Sequence, residues 1–470
     1  MESYSLLIDG KLVGGAAQLE VINPATAEII ARCPRASETQ LNQAVAAAKT
    51  AFVRWSSRTI SDRRKFLLRL ADELESQQEA MARLLTQEQG KPLAEAMWEL
   101  VFAVGSIRAL SAMDLPVEVV RESRTERIVR QFAPLGVVAA ITPWNSPLLL
   151  LMIKLAPALL AGNTMVVKPA PTTPLTTLRF GEICAAVLPP GVVNIITDAN
   201  DLGDTLTRHP DVAKVAFTGS TSTGRKVMAS AASTLKRLTV ELGGNDAAIV
   251  LDDVNPQAVA SKIFHGAMMN CGQVCFAIKR VYAHESIYDA LCKHLAVLAD
   301  AAVVDDGLKQ GTTIGPIQNK TQFAKLQLLL EDARSRGTII AGGFVLNRPG
   351  YFMRPTIVRD IPDDARLVRE EQFGPILPVL SFTEIDDAVA RANDSEYGLS
   401  GTVWSSDEKR AYEVAKRLHA GTVWINKHLD LPPDIAVQGA KQSGFGAEMG
   451  DEGLKEFTQV TIINMALNAA

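Results

Sequence analysis

The chain has 470 residues, 47% hydrophobic and 21% charged, a soluble globular composition too long for one ordinary core, so two or more domains are expected. Its formal net charge of −4 gives no reason to expect nucleic acid or an anionic membrane as a partner. The five cysteines, Cys33, Cys184, Cys271, Cys275 and Cys292, are odd in number and thinly spread, which argues for a reducing compartment and against a disulfide framework.

The start, Met1-Glu2-Ser3-Tyr4, lacks the basic residues and apolar core of a signal peptide. The most apolar run, 148–153, stops at Lys154 and is too short to span a bilayer. A cytoplasmic protein is the expectation. Residues 6–11 form a short strand candidate entering a turn, and Asn23-Pro24-Ala25-Thr26 is a second turn. Ser37-Glu38-Thr39-Gln40 fits a capping box, and Leu41, Val45, Ala48 and Phe52 follow at helical spacing. Phe66, Leu67, Leu70, Ala71 and Leu74 mark a second helix, and a third ends at Gly90 and Pro92. Segment 118–131 is unusually polar, with Arg121, Arg124, Arg127 and Arg130. It is either a solvated excursion or an edge that pairs with another subunit.

From Gly136 the pattern changes. Runs 136–141, 164–168, 192–196, 214–218 and 237–241 are short, apolar and rich in β-branched residues, with helical segments between them. That alternation predicts an α/β fold: a parallel sheet with crossover helices, a Rossmann-like coenzyme domain whose ligand sits at the carboxyl ends of the strands. The glycine fingerprint G-x-G-x-x-G is absent. Gly219-Ser220-Thr221-Ser222-Thr223-Gly224 follows a strand and opens a helix instead. It is either a simple cap or a backbone cradle for a pyrophosphate. A second α/β region begins after 247–251 and holds Cys275, a helix at 320–336 and strand–helix units around 377–404. The apolar tail 459–465 is a strand candidate that needs a partner to cover it.

Within Asn270-Cys271-Gly272-Gln273-Val274-Cys275, a tight approach through Gly272-Gln273 would expose the Cys275 sulfur beside a backbone N–H, as a thiolate nucleophile requires. Taken alone, a cysteine in an apolar segment is more often an inert core residue. The pair Cys271/Cys275 has no second pair or histidine at zinc-site spacing, so no metal is expected.

Seven short motifs stand in order: Pro143-Trp144-Asn145, Lys154 to Leu159, Gly162-Asn163-Thr164 through Lys168-Pro169, Phe217-Thr218-Gly219-Ser220, Glu241-Leu242-Gly243-Gly244-Asn245, Gly272-Gln273-Val274-Cys275 and Glu371-Gln372-Phe373-Gly374-Pro375. Carrying them, the chain resembles the aldehyde dehydrogenase superfamily over nearly its whole length. The resemblance implies oxidation of an aldehyde to a carboxylic acid with NAD or NADP, NAD slightly favoured. It makes Cys275 the nucleophile and Asn145, with the Cys275 N–H, the oxyanion donors. Glu241 would activate the water that hydrolyses a thioester. Lys154 would stand near the oxyanion or thiolate, or form a structural ion pair. For the coenzyme it implies Lys168 at the adenine-side ribose, and Thr142, Trp144, Thr218, Gly219, Ser220 and Leu242 along the crevice. Glu371 would meet the nicotinamide ribose, with Phe373 packing beside it. It further implies a dimer or tetramer, a coenzyme domain over 1–115 and 135–243, a catalytic domain over 244–440, and a small β oligomerisation element from 116–134 and 441–470.

Two departures from the family pattern stand out. Pro171 occupies a position where a glutamate is common, which predicts loose discrimination between NAD and NADP. Ala436-Val437-Gln438-Gly439 replaces the common Pro-Phe-Gly-Gly, although Lys441-Gln442-Ser443-Gly444 is kept. The apolar residues Leu148, Leu149, Leu150, Met152 and Ile153, with Val274 and Phe276 flanking Cys275 and no arginine among them, predict a neutral, largely apolar aldehyde. The rivals are a semialdehyde dehydrogenase, including the acylating CoA-dependent kind, a thiol hydrolase without a redox step, and a catalytically silent structural relative. The presence of Glu241, the lack of a histidine in a recognised motif, and the retention of Asn145, Glu241 and Cys275 count against the acylating, hydrolase and silent rivals respectively.

Overall fold

The structure, a computed structural model, describes residues 3–467. Met1 and Glu2, part of the N-terminal reading, lie outside the described residues, as do residues 468–470 of the expected oligomerisation element.

Two large sheets organise the chain. In the first, five parallel strands lie in the order Val193–Ile195, Thr164–Lys168, Val137–Ile141, Val212–Thr218, Arg237–Glu241. This is the doubly wound order, with its topological switch beside Val137–Ile141. Four of the five strands are buried along essentially their whole length, as expected where helices cover both faces. The edges are closed by antiparallel additions: Leu6–Ile8 on one side and Gly444–Phe445 on the other. Gly444–Phe445 thus joins this sheet, although it lies within the 441–470 segment expected in the small β element. The second sheet has seven strands, parallel except at its Thr338–Ala341 edge. Asp246–Val250 is near its middle, only five residues beyond Glu241 at the end of the first sheet. That short link sets the carboxyl end of the first sheet against the amino end of the second, where Cys275 and Glu371 precede their strands.

Local signals explain most helix boundaries. Ser37 and Gln40 form the predicted reciprocal cap of helix Glu38–Ser56. Gly90 ends helix Gln78–Gln89 in the left-handed conformation at φ 100°, which a Cβ would penalise. The next helix, Leu93–Ser111, begins directly after Pro92, so this proline opens a helix as well as following one. Its apolar residues run round most of the surface, so no amphipathic stripe announces it. Helix Pro147–Ala161 is buried almost throughout and links the core beneath the first sheet to the cavity described below.

A three-stranded antiparallel sheet stands apart, in the order Thr458–Ala466, Glu126–Pro134, Glu118–Glu122. The polar 118–131 segment and the apolar tail therefore pair with each other. Val119, Val120, Ile462 and Ile463 remain exposed on it. All five cysteines are free, and no described helix is long and apolar enough to cross a membrane.

Candidate active site

The segment before Cys275 is unusually strained. Asn270, Cys271 and Gly272 have φ of 52°, 58° and 70° in succession, a left-handed turn that side chains other than glycine rarely adopt. Side-chain hydrogen bonds hold it there. Gln273 donates to the carbonyls of Asn270 (2.9 Å) and Pro316 (3.3 Å) and accepts from the Gln318 N–H (2.9 Å). Gly272 is required twice over, because a Cβ would come within 2.4 Å of the Gly374 carbonyl oxygen. The turn sends Cys271 into the core, 1% exposed, and leaves Cys275 half-buried on a cavity wall. Burial pushes the Cys275 thiol up to about 12, opposed by the buried Lys279 ammonium. That ammonium holds the Cys275 carbonyl at 2.5 Å and the Val274 carbonyl at 3.1 Å. Burial thus favours the thiol over the thiolate, so the proton has to leave as the sulfur attacks.

Asn145 lines the same cavity. Its side-chain amide donates to the Gln273 carbonyl at 3.0 Å, and its backbone carbonyl accepts from Asn270 Nδ2 and Lys91 Nζ, both at 2.9 Å. Lys91 in turn is paired with buried Glu99 at 2.6 Å. The network anchors the Asn145 backbone, and with one amide N–H bonded to Gln273 the second is the donor an oxyanion could use.

Glu241 ends its strand buried against the cavity, and its Oε1 has no hydrogen-bond partner. Burial, then the Glu448 carboxylate, raises its carboxyl well above the usual range, opposed by the Lys154 ammonium. Lys154 forms an ion pair with Glu448 and donates to Thr218 Oγ1 at 2.6 Å. Of the sequence alternatives for Lys154, this geometry is the ion pair. Glu448 was not singled out from sequence, where no spacing links it to Lys154, 294 residues earlier.

The remaining wall is apolar: Leu149, Leu150, Ile153, Val274, Phe276, Leu429, Leu431, Val437 and Met449, with Trp98 and Phe102. Leu148 and Met152, expected on this wall, turn into the core of the first sheet instead, since residues on one helix face recur at three- and four-residue steps. The cavity contains no arginine, its one lysine is Lys91, and it includes Glu95. Burial raises Glu95 to about 7, opposed by the nearby Lys91 ammonium and the Asn270 N–H that it accepts.

A second crevice opens at the carboxyl ends of the first sheet, with a volume of about 850 Å³. Thr142, Trp144, Lys168, Thr218, Gly219 and Ser220 line it, and Thr218 is shared with the cavity of Cys275. Ser220 caps helix Thr221–Ala231 through the Thr223 N–H, so an eleven-residue helix points its N-terminus into the crevice, a favourable place for a pyrophosphate. The buried Thr142 hydroxyl has no partner. Leu242 does not line the crevice; its side chain packs in the core, where a Cβ on Gly224 would come within 2.5 Å of it. Glu371 accepts from the Gly244 N–H at 2.9 Å and lies 3.8 Å from Lys279. A Cβ on Gly243 would overlap its carboxylate at 2.4 Å. Phe373 packs edge-on against Trp144, centroids 5.3 Å apart. An orphaned hydroxyl, a lysine and a helix N-terminus at three neighbouring strand ends fit a dinucleotide, with Glu371 and Phe373 outside the lining of this crevice. Lys168 is not free, however: its ammonium is 2.6 Å from the buried Asp198 carboxylate, a partner not identified from sequence.

Residues 13–463 match the aldehyde dehydrogenase family. The chain is 39% identical over 481 residues to a chloroplastic betaine aldehyde dehydrogenase of Beta vulgaris, covering 97% of this chain and 95% of that one. It is 39% identical over 479 residues to a phenylacetaldehyde dehydrogenase of Pseudomonas fluorescens, covering 97% and 94%. An NAD+ complex structure of aldehyde dehydrogenase from Bacillus cereus superposes with a TM-score of 0.97 at 34% identity, covering 99% of this chain and 97% of that one.

Proposed function

The chain belongs to the aldehyde dehydrogenase family, and from that premise we propose that it oxidises a neutral, largely apolar aldehyde to its carboxylic acid through a thioester on Cys275. One observation carries this reading: Cys275, Asn145 and Glu241 share one apolar cavity, which continues through Thr218 into the crevice that fits NAD(P).

The Cys275 thiol gives its proton to water at the cavity mouth as its sulfur bonds to the aldehyde carbon, whose C=O π pair moves onto the oxygen. The oxygen, gaining charge, is met by the free N–H of the Asn145 amide and by the Cys275 N–H; donors of this kind, set in advance, are worth about 3 kcal/mol each in related chemistry. A bound NAD or NADP supplies the hydride acceptor. Lys168 would hold its adenine-side ribose, the helix N-terminus at Ser220 its pyrophosphate, and Glu371 its nicotinamide ribose. The remaining thioester is attacked by water, whose proton Glu241 takes, and the acyl C–S bond breaks to release the acid and return Cys275, which is then reprotonated. Burial and Glu448 make Glu241 a stronger base than an exposed carboxylate, and the apolar wall excludes competing water. Lys154 neutralises Glu448 and so limits how far Glu241 is raised.

The cavity supports a neutral substrate over an anionic one. A substrate carboxylate would find no arginine and would face Glu95, a repulsive pairing in an apolar surrounding. In a panel read by NAD(P)H absorbance, arylalkyl and medium-chain aldehydes should exceed succinate semialdehyde by about a hundredfold in kcat/KM. The highest value for succinate semialdehyde would overturn this assignment. Glu95 beside the aromatic pair Trp98 and Phe102 favours a second reading, an aldehyde carrying a cationic group. Betaine aldehyde leading the panel would establish it. Full turnover without CoA separates both readings from the acylating rival.

For assembly, the three-stranded sheet offers exposed Val119, Val120, Ile462 and Ile463 with free outer strands. We infer that it joins subunits into a dimer or tetramer, with the domain division over 1–115 and 135–243, 244–440, and the small β element. Light scattering should give a dimer or tetramer mass for the wild type and a lower mass for Ile462→Lys. An unchanged mass would exclude this sheet from the contact.

A further inference from the structure

The coenzyme crevice has a direction that can be read from the strand order. Successive strand ends run Glu241, Thr218, Ile141–Thr142, Lys168 and then, beyond Val193–Ile195, Asp198. With neighbouring strands about 4.8 Å apart, Lys168 is roughly 14 Å from Glu241 across the sheet. That is the reach of an extended dinucleotide from its reacting end to its adenosine. The walls at the Lys168 end include Pro171, Asn200, Gly203 and Asp204.

We propose that Asp198 makes this enzyme selective for NAD over NADP, by holding the Lys168 ammonium in a buried ion pair at the adenosine end of the crevice. The inference rests on the reading of that crevice as the NAD(P) site. Asp198 is fully buried, and both of its oxygens are engaged: one 2.6 Å from Lys168 Nζ, the other accepting the Leu202 N–H at 2.9 Å. Lys168 is itself 4% exposed, so the pair is largely beyond the reach of solvent screening. An ammonium has three donors. One is committed to Asp198, and the others can still serve the neutral hydroxyls of an NAD ribose.

A 2′-phosphate is a different case. It would bring up to two negative charges to a lysine whose charge is already balanced, with a carboxylate just behind it. Other cations do not make up the deficit. Arg225 is drawn toward Glu396 at 3.5 Å and Gln442 at 3.0 Å. Arg208 pairs with Asp204 at 2.6 Å and Arg35 with Asp201 at 2.6 Å. Lys226 lines the crevice, but on the exposed face of helix Thr221–Ala231, where a charge contact is weak. Pro171 removes a nearby carboxylate from the rim, yet Asp198 returns one to the same lysine from the next strand. The loose discrimination expected from Pro171 alone is therefore replaced by a preference for NAD.

The test is direct binding of NAD and of NADP, by titration calorimetry without aldehyde, to wild type, Asp198→Asn and Asp198→Ser. Serine keeps an acceptor for the Leu202 N–H but, like asparagine, carries no charge. Wild type should bind NAD at least about tenfold more tightly than NADP. Either neutral variant should tighten NADP by about tenfold or more and leave NAD within about threefold. Equal affinities in wild type, or a preference for NADP, overturn the proposal even if neither variant folds. So do variants that weaken both coenzymes by one factor, which would make Asp198 a purely structural residue. Wild type binding neither coenzyme would instead defeat the reading of the crevice itself.

Discussion

Cys275→Ala is expected to lose dehydrogenase activity, and any ester hydrolysis, by at least about ten-thousandfold in kcat, the scale on which nucleophile removal acts. Cys271→Ala should retain activity within about threefold, since a buried cysteine far from solvent acts as a small apolar side chain. The contrast follows from the left-handed turn. It drives Cys271 to 1% exposure among core residues and raises its thiol by burial, while Cys275 emerges four residues later on the cavity wall. Both activities are measured on the same preparations, because ester hydrolysis needs the sulfur but no hydride acceptor. Equal losses in the two variants would mean that the sulfurs act together or that Cys271 is the nucleophile.

Glu241→Gln should separate the two halves of the reaction. The amide is close in shape to the protonated carboxyl that burial and Glu448 favour, so the variant should fold as the wild type does. It cannot take a proton from water. Rapid mixing with aldehyde and NAD(P) should therefore give one burst of NAD(P)H per active subunit. Steady-state turnover would then fall by about a hundred- to ten-thousandfold, the usual worth of a general base. If the burst is missing, Glu241 is needed earlier, to deprotonate Cys275.

What sequence reveals here depends on distance along the chain. The parallel strands are legible because a sheet covered on both faces needs short, continuous, β-branched runs. The Gly272-Gln273-Val274-Cys275 approach is legible because its constraints are local: a left-handed glycine and a glutamine that bonds back to Asn270. Helix Leu93–Ser111 escapes notice because it is apolar round most of its surface and its start is a proline that also follows the preceding helix. Leu148 and Met152 looked equivalent to Leu149, Leu150 and Ile153 in an apolar run. Only the orientation of the helix divides them between core and cavity. The electrostatic partners are the least visible. Glu448 meets Lys154 from 294 residues away, and Asp198 meets Lys168 from 30. Both are single acidic residues with no local pattern, yet Glu448 adds to the effect of burial on Glu241 and Asp198 pairs with the Lys168 ammonium.

The central claim, a thioester on Cys275 that waits for Glu241, is tested most directly by intact-protein and peptide mass spectrometry of Glu241→Gln. The sample is acid-quenched after the burst with a neutral aldehyde and NAD(P). The account predicts a mass increase equal to the acyl group, carried by the peptide with Cys275 and removed by hydroxylamine, and absent when the coenzyme is omitted. An unmodified protein after a full burst, or an acyl group on any residue other than Cys275, would contradict it.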